Sequence, residues 1–245
     1  MSLYIEGRNA VIEALRSGIP GRRILVAEGV QDADAIREIE RLATSRGLAI
    51  KYVPRRLLDE RSERGAHQGV AFEAEEYRYV DLATVLGSIA DAPDSLIIAL
   101  DHVTDPGNLG AVVRTAEVAG ADAVLVPKKR TAAIGPAAYK TSAGALAWIP
   151  VVRDNLATSL ERLKEAGYWV AGADGAAPAL AWDTPLEGRL VIVLGAEGQG
   201  LSRLVRERCD FLVRLPVAGK VDSLNVAQAT SVLAFEWVRR TRSKT

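Results

Sequence analysis

The sequence predicts an α/β protein with a mostly parallel sheet in its larger, C-terminal part. Six near-continuous apolar segments separated by helical stretches follow residue 95: LIIALD, DAVLVP, WIPVV, YWVAGA, RLVIVL and DFLVRL. Strands of this kind are buried on both faces, as in a parallel sheet covered by helices. A shorter N-terminal part also alternates helix and strand patterns. Loops rich in Gly, Asn and Ser follow several of the strands, at the place where open α/β sheets bind ligands.

Residues 1–75 are predicted to form the smaller α/β domain. Apolar side chains at helical or alternating spacing predict its elements: helices over 9–15 and 32–45, a helix whose first position is Pro54, and strands over 23–26, 48–53 and 69–72. Residues 76–94 begin acidic and aromatic and are interpreted as a linker. Residues 95–245 are the second predicted domain, which ends in an apolar helix over 225–240.

The charge balance argues against a polycation that coats nucleic acid, because 31 basic and 31 acidic residues give a formal net charge of zero. Local positive clusters nevertheless favour a phosphate-bearing partner. These clusters are Arg22–Arg23, Arg55–Arg56 with Arg61 and Arg64, Lys128–Lys129–Arg130, and Arg239, Arg240, Arg242 and Lys244. The single cysteine, Cys209, excludes an intrachain disulfide and favours a reducing, cytoplasmic location. We find no signal peptide and no membrane-spanning apolar run.

The first motif candidate is DPGNLGAVVRTAE, residues 105–117, which ends a predicted strand and opens a helix. Asn108 is expected at or near the helix N-cap, where the early amides favour an anion. Gly110 and Arg114 are four residues apart and share a helix face, which leaves room for a phosphate or a ribose beside the guanidinium. In the alternative interpretation, Asn108 is only a cap and Arg114 only pairs with Glu117.

The second motif candidate is LGAEGQGLS, residues 194–202, after the strand RLVIVL. Its glycines, Gly195, Gly198 and Gly200, follow the pattern G-x-x-G-x-G and not the dinucleotide-binding pattern G-x-G-x-x-G. Such glycines allow positive φ and a close approach to a flat ligand. Glu197 can accept hydrogen bonds from a ribose or position an arginine. The alternative is a tight turn with a solvated carboxylate.

The third motif candidate is LPVAGKVDSLNVAQ, residues 215–228. Asn225 and Gln228 form a plausible capping box for the last helix. Ser223 lies just before that helix, where its hydroxyl can reach a substrate. A serine-hydrolase role is not supported, because no histidine base lies nearby in the sequence.

The remaining polar candidates are weaker. His67 and His102 have no partner at metal-ligand spacing, so no metal site is predicted, and both are interpreted as structural or RNA-facing. Cys209 precedes an apolar segment and is interpreted as a core residue.

Together, the three motif candidates resemble the motifs of the SpoU (TrmH-like) family of RNA ribose 2′-O-methyltransferases, in the same order. The matching residues are Asn108, Gly110 and Arg114, then Gly195 to Gly198, then Pro216, Gly219 and Ser223 to Val226. The segments GRNAV, residues 7–11, and HQGV, residues 67–70, resemble the substrate-binding domain of the branch that methylates a guanosine of bacterial 23S rRNA. The resemblance therefore covers nearly the whole chain.

This resemblance implies a SPOUT-type catalytic domain with a C-terminal trefoil knot, a rare exception to unknotted topology. It implies an N-terminal domain similar to ribosomal protein L30e that binds RNA. It also implies a homodimer whose active site is completed across the interface. The implied methyl donor is S-adenosylmethionine, with no metal required. The residues expected to bind the donor are Gly172, Gly195, Gly198, Leu215 and Leu224.

The resemblance also suggests catalytic roles. Arg114 is expected to anchor a phosphate and not to act as a base, because a guanidinium does not normally lose its proton. Asn108 would orient the ribose, and Glu197 would hold Arg114 or Asn108. Ser223 and Asn225 would complete the site, and proton removal could be assisted by the substrate itself.

Several alternatives stay open at this point. The chain could methylate tRNA, or methylate rRNA as an antibiotic-resistance enzyme. It could also be a non-catalytic RNA-binding factor in ribosome assembly, although intact motif residues argue against that. A nucleotide-binding oxidoreductase is disfavoured by the missing dinucleotide pattern. The sequence does not identify the target nucleotide.

Overall fold

The computed structural model describes residues 3–30, 33–62, 67–196 and 198–242. The chain divides into two compact units. The first unit contains residues 1–78 and 134–144, and the second contains residues 79–133 and 145–245. The boundary at residue 78 falls within the segment interpreted as a linker, and a short later segment, 134–144, packs with the first unit.

The first unit is an α/β domain around a four-stranded sheet of order β1-β4-β2-β3. Its strands are β1 (Leu3–Glu6), β2 (Gly21–Ala27), β3 (Ala49–Val53) and β4 (Val70–Ala74). Strand β4 runs antiparallel to β1 and β2, while β2 and β3 are parallel. Its first three helices are α1 (Arg8–Arg16), α2 (Ala33–Ser45) and α3 (Arg55–Arg61). Pro54 is the N-cap of α3, so this helix begins one residue later than predicted.

The second unit contains a seven-stranded sheet of order β7-β6-β5-β10-β8-β11-β9, and all of its strand pairs are parallel. The strands are β5 (Ser95–Asp101), β6 (Ala123–Pro127), β7 (Val151–Asp154), β8 (Trp169–Ala173), β9 (Ala179–Leu180), β10 (Arg189–Gly195) and β11 (Phe211–Arg214). The predictions of an α/β class and a mostly parallel sheet are confirmed. The trefoil knot and the likeness to L30e stay predictions.

The helices that cover this sheet are α4 (Leu82–Ser88), α5 (Pro106–Val118), α7 (Leu156–Glu165), α8 (Arg203–Arg208) and α9 (Val226–Arg242). Helix α6 (Pro136–Ser142) lies between α5 and α7 in the chain but belongs to the first unit. Helix α6 packs on α1 in the first unit, where Lys140 Nζ lies 3.2 Å from Glu13 Oε2.

The near-continuous apolar runs form strands because both of their faces are covered. All seven residues of β5 are buried, and so are the five central residues of β10. Helix α4 lies within the segment interpreted as a linker, yet Leu82 and Val85 are buried in the same core as Ile97 and Val191. These two side chains are three residues apart and so share one helix face. Residues 79–94 therefore contribute to the second unit.

The sheet register brings the motif-bearing loops to one edge. Strands β5, β10, β8 and β11 are consecutive neighbours. Asp101 at the end of β5 pairs with Gly195 at the end of β10, and Ala173 at the end of β8 pairs with both Leu194 and Val213. The loops that follow these four parallel strands therefore leave the sheet on the same side, where ligands bind in open α/β sheets.

Cys209 packs against the core of the second unit, and its thiol donates to the Val205 carbonyl at 3.3 Å. Burial raises the pKa of the Cys209 thiol to about 12. Because the thiolate is the reactive form, we expect native protein at pH 8 to react with a disulfide reagent about a thousandfold more slowly than urea-unfolded protein. Stopped-flow absorbance measures both rates. Equal rates would show that the thiol is accessible and ionises normally.

Candidate active site

A hydrogen bond joins the first and third motifs at this edge of the sheet. The side-chain amide of Asn225 donates from Nδ2 to Oδ1 of Asn108 over 2.9 Å. The other amide atom, Asn225 Oδ1, accepts from the backbone N–H of Ala227 at 2.9 Å, near the start of α9. Asn225 therefore contributes to both the helix start and the site. Residues 117 positions apart in the chain are brought into direct contact.

The start of α5 shows which residue caps the helix. Asp105 is the N-cap, and its Oδ1 accepts from the backbone N–H of Asn108 at 2.6 Å. Asn108 follows Pro106 and Gly107 as the third residue of α5, so it lies near the N-cap, as expected, but does not itself cap the helix. The aspartate performs the capping, and this leaves the side-chain oxygen of Asn108 for the contact with Asn225.

The second motif folds back on its own strand. A Cβ atom on Gly195 would lie 2.1 Å from the carbonyl carbon of Gly200 and 2.5 Å from the backbone nitrogen of Leu201. The Gly200 N–H donates to the Ala196 carbonyl at 2.9 Å and closes the loop. Only glycine fits at 195 in this arrangement. Glu197 lies outside the described residues, so its predicted role stays a hypothesis.

Sequence reasoning missed Asp101, a buried carboxylate at the end of β5 that is 1% exposed. Its Oδ2 accepts from the backbone N–H of Ser202 at 2.6 Å, and its Oδ1 lies 2.6 Å from His102 Nδ1. Asp101 therefore holds Ser202, the last residue of the second motif, at the end of β5. An acidic residue that ends an otherwise apolar strand was the available signal, because a buried carboxylate needs hydrogen-bond donors.

A cavity of about 540 Å³ opens between the loops that follow β5, β6 and β10. It is lined by His102, Val103, Thr104, Asp105, Asn108, Arg130, Ala196, Gln199, Gly200, Leu201, Ser202 and Val226. Most of the polar lining groups are neutral hydrogen-bonding side chains. Asn108 is the predicted catalytic residue in this lining, and its partner Asn225 lies next to it.

Two further predicted catalytic residues, Arg114 and Ser223, lie outside this lining. Arg114 is exposed on α5. It is six residues beyond Asn108, or about 240° around the helix axis, so the two side chains leave the helix on different faces. Ser223 is exposed in the third loop. Within one chain, the structure unites Asn108 and Asn225 and leaves Arg114 and Ser223 outside the cavity lining.

The predicted donor-binding residues lie in or after β8, β10 and β11, and Gly198 lies between the cavity-lining residues Ala196 and Gln199. Gly172 is buried in β8, where a Cβ would meet the side chains of Leu201, Cys209 and Leu212 within 2.8 Å. Gly198 has a φ of +75° and an open surrounding. In the third loop, Leu215 is half-buried and Leu224 is 45% exposed.

In the first unit, the two N-terminal motifs contact each other. Arg8 Nε donates to the Gln68 carbonyl at 3.2 Å, and the Gly7 N–H donates to the Val70 carbonyl at 3.2 Å. His67 is 2% exposed, accepts from the Gly69 N–H and lies 2.8 Å from Asp59. These contacts favour the structural interpretation of His67 over the RNA-facing one.

The described ranges contain neither a membrane-spanning helix nor a cluster of metal-binding side chains. None of the helices there is long and apolar enough to cross a membrane. No group of three or more His, Cys, Asp or Glu side chains in those ranges could hold a metal ion.

Comparisons with known proteins identify the family of the chain. Residues 95–235 match the family model of the SpoU rRNA Methylase family, and residues 4–80 match that of RNA 2′-O ribose methyltransferase substrate binding. A tRNA/rRNA methyltransferase of Mycolicibacterium vanbaalenii is 41% identical over 97% of this chain and 76% of its own length. A TrmH family tRNA/rRNA methyltransferase of Bacillus subtilis is 40% identical over 97% of this chain and 95% of its own length.

Solved structures show the same likeness. The SpoU methyltransferase AviRb of Streptomyces viridochromogenes, in complex with the cofactor AdoMet, has a TM-score of 0.70 and 25% identity, covering 98% of this chain and 90% of that one. An AdoMet-bound rRNA methyltransferase of Sinorhizobium meliloti has a TM-score of 0.66 and 27% identity, covering 98% and 87%. The fold, the site and these matches define an RNA methyltransferase. The chain belongs to the SpoU rRNA Methylase family, as the three motifs predicted.

Proposed function

We propose that this chain methylates a ribose 2′-hydroxyl in RNA, with S-adenosylmethionine as the donor and a guanosine of 23S rRNA as the target. The observation that carries the proposal is the hydrogen bond between Asn108 and Asn225 at the wall of a polar cavity. It places two motif residues of an RNA methyltransferase family where the loops of a parallel sheet converge.

The residues beside β10 and β11 suit the donor, which when bound supplies an activated methyl group on a sulfonium centre. Three apolar side chains of the third loop are exposed: Val217 (50%), Val221 (76%) and Leu224 (45%). Apolar surface of this kind can cover an adenine ring. The Gly198 backbone, with no atom within 4 Å of its Cβ position, offers close approach without a side chain, and Gly195 lets the loop fold back on its strand. The protein's task is then to align the ribose oxygen with the methyl carbon.

The chain's polar side chains would perform that alignment. Asn108, which accepts a hydrogen bond from Asn225, would orient the ribose hydroxyls. Arg114 would bind the phosphate and stabilise the developing charge, since its guanidinium keeps its proton. Ser223 and Glu197 would complete the site when RNA is bound. The hydroxyl proton would pass to the substrate's own phosphate or to water.

A homodimer would bring Arg114 into the site. Helices α5 and α9 run side by side in the same direction, because Asn108 contacts Asn225 and, further along both helices, Thr115 Oγ1 lies 3.0 Å from Ser231 Oγ. Beyond these contacts the helix pair exposes the apolar side chains Val118 (61%), Val232 (36%) and Phe235 (47%). Large apolar side chains exposed on two adjacent helices favour a protein interface. The partner subunit's Arg114 would then serve the cavity of this chain.

The first unit would select the RNA. Its two contacting motifs and the exposed Arg55, Arg56 and Arg61 of α3 provide cationic and polar groups for a phosphate backbone. The match of this unit to the substrate-binding family model supports an RNA-binding role. The choice of 23S rRNA over tRNA rests on the resemblance of residues 7–11 and 67–70.

A tritiated methyl-donor assay on separated bacterial 23S rRNA, 16S rRNA and tRNA tests the proposal. We expect label in 23S rRNA, at a ribose that resists alkaline cleavage on its 3′ side. Label in tRNA would change the proposed substrate from 23S rRNA to tRNA and leave the proposed ribose methylation unchanged. Label on a base, or binding to RNA without any transfer, would overturn the proposed reaction and favour a non-catalytic assembly factor.

A further inference from the structure

Two residues of the cavity have an unusual backbone conformation. Among the described residues, the non-glycine residues with positive φ are Gln68, His102, Arg130 and Ala143. His102 (φ 60°) and Arg130 (φ 55°) both line the cavity beside Asn108. Left-handed backbone costs free energy for a residue with a side chain, and such strain clusters at functional sites. Arg130 has no role in the mechanism proposed above, although it lines the same cavity as Asn108.

The segment that carries Arg130 is fixed over the first motif's loop. The Ala132 N–H donates to the Val103 carbonyl at 2.9 Å, and the Thr131 hydroxyl donates to the same oxygen at 3.3 Å. Lys128, in the same positive cluster, lies 2.7 Å from Asp154 and so has an acidic partner. Arg130 forms no ion pair or hydrogen bond with the rest of the described chain, and its guanidinium is exposed at the cavity wall.

The cavity suits an anion beside a sugar. The side chains of Thr104, Asn108 and Gln199 are neutral, and the carboxylate that lines the cavity, Asp105, accepts a hydrogen bond from the backbone N–H of Asn108. We propose that Arg130 is a positioning residue that binds a phosphate of the target nucleotide while Asn108 holds its ribose. This inference rests on the proposed ribose methylation and deepens it, because it assigns a second phosphate contact next to that site.

The donor's carboxylate is a different anion, and the strand order argues against it. Arg130 follows β6, whereas the predicted donor-binding residues lie in or after β10, β8 and β11. Strand β6 is one position from β5, whose loop leads to Asn108, but two from β10 and three from β8, which is about 10 and 14 Å at the usual strand spacing. A guanidinium after β6 therefore starts nearer to Asn108 than to the predicted donor-binding residues.

The test compares Arg130→Gly, Arg130→Asn and Arg130→Lys with Lys129→Ala, which removes a neighbouring exposed charge. Glycine and asparagine accept positive φ, so both variants remove the guanidinium without adding strain. The probe is the RNA that accepts label with the unmodified enzyme, either a 23S rRNA transcript or tRNA. KM and kcat are measured with increasing salt, and donor binding is measured by calorimetry.

We expect Arg130→Gly and Arg130→Asn to raise the KM for RNA at least about tenfold, as for a lost charge-assisted hydrogen bond. The slope of log affinity against log salt should fall by about 0.7 to 0.9. The donor Kd should change less than about twofold, Arg130→Lys should recover part of the loss, and Lys129→Ala should match the unmodified enzyme.

Two results would overturn the inference about Arg130. One is an unchanged KM and salt slope in both neutral variants. The other is a weakened donor Kd with an unchanged KM for RNA, which would assign Arg130 to the donor. Failure of the unmodified enzyme to methylate any RNA would instead contradict the proposed function, so the two failures are distinguishable.

Discussion

Replacing Arg114 with alanine should reduce methyl transfer about a hundred- to a thousandfold while leaving donor binding unchanged, the loss typical when one preorganised charge-stabilising group is removed. The expectation follows from its placement, since Arg114 is exposed on α5 and lies on a different helix face from Asn108. Its removal creates no cavity and breaks no contact within the described part of the chain. Single-turnover methyl transfer and calorimetric donor titration measure the two effects.

Glu117→Ala is the matched control, because Glu117 lies on the same helix and is the partner that Arg114 would have if it were only a surface residue. The structure shows no Arg114–Glu117 ion pair among the described residues. Near-normal activity in Glu117→Ala with loss of activity in Arg114→Ala would support a role with RNA. An Arg114→Ala enzyme at the unmodified rate would remove this residue from the site.

Mixing inactive variants tests whether Arg114 acts across a dimer. If each site takes Asn108 from one subunit and Arg114 from the other, re-associated Asn108→Ala and Arg114→Ala chains contain one intact site in each mixed dimer. Random pairing should then recover about a quarter of the unmodified activity, as expected for a two-fold symmetric interface. A site built within one chain would give no recovery, because every site would carry one of the changes.

The sequence predicted the convergence of the motifs because parallel strands place their carboxyl ends together. Apolar runs such as those of β5 and β10 identify parallel strands that are buried on both faces, and the loops after such strands meet at one edge of the sheet. The identity of the helix cap was not predictable in the same way. Asp105 and Asn108 are both good caps by residue type, and only the backbone position shows that Asp105 performs this role.

Contacts between distant parts of the chain were also outside the reach of sequence patterns. Asp101 meets Ser202, which lies 101 residues further along, through a backbone amide that has no sequence signature. The positive φ of Arg130 is followed directly by two residues, Thr131 and Ala132, that hydrogen-bond to the Val103 carbonyl. Helix α6 packs on α1 in the first unit, although it lies between α5 and α7 of the second unit in the chain, and no local sequence pattern indicates this. The motif residues were predictable, and their orientation was not.

Replacing Gly195 with alanine should destabilise the protein and abolish donor binding together. The new Cβ would lie 2.1 Å from the Gly200 carbonyl carbon and 2.2 Å from its oxygen. These are backbone atoms, so no side-chain rotation relieves the overlap, and the loop from 196 to 201 must move. Overpacking of this kind costs about 1–3 kcal/mol of unfolding free energy, or roughly 5 °C in Tm for a chain of this size.

Two other glycine substitutions provide controls for that prediction. Alanine at Gly219, in the third loop, or at Gly175, after β8, would meet no atom within 4 Å, and neither position is in the positive-φ region. Both variants should keep the Tm of the unmodified protein. A Gly195→Ala protein with the same Tm and donor Kd as Gly175→Ala would contradict the close packing of the second motif. Loss of donor binding in Gly195→Ala but not in Gly175→Ala would tie the fold of that loop to the donor site.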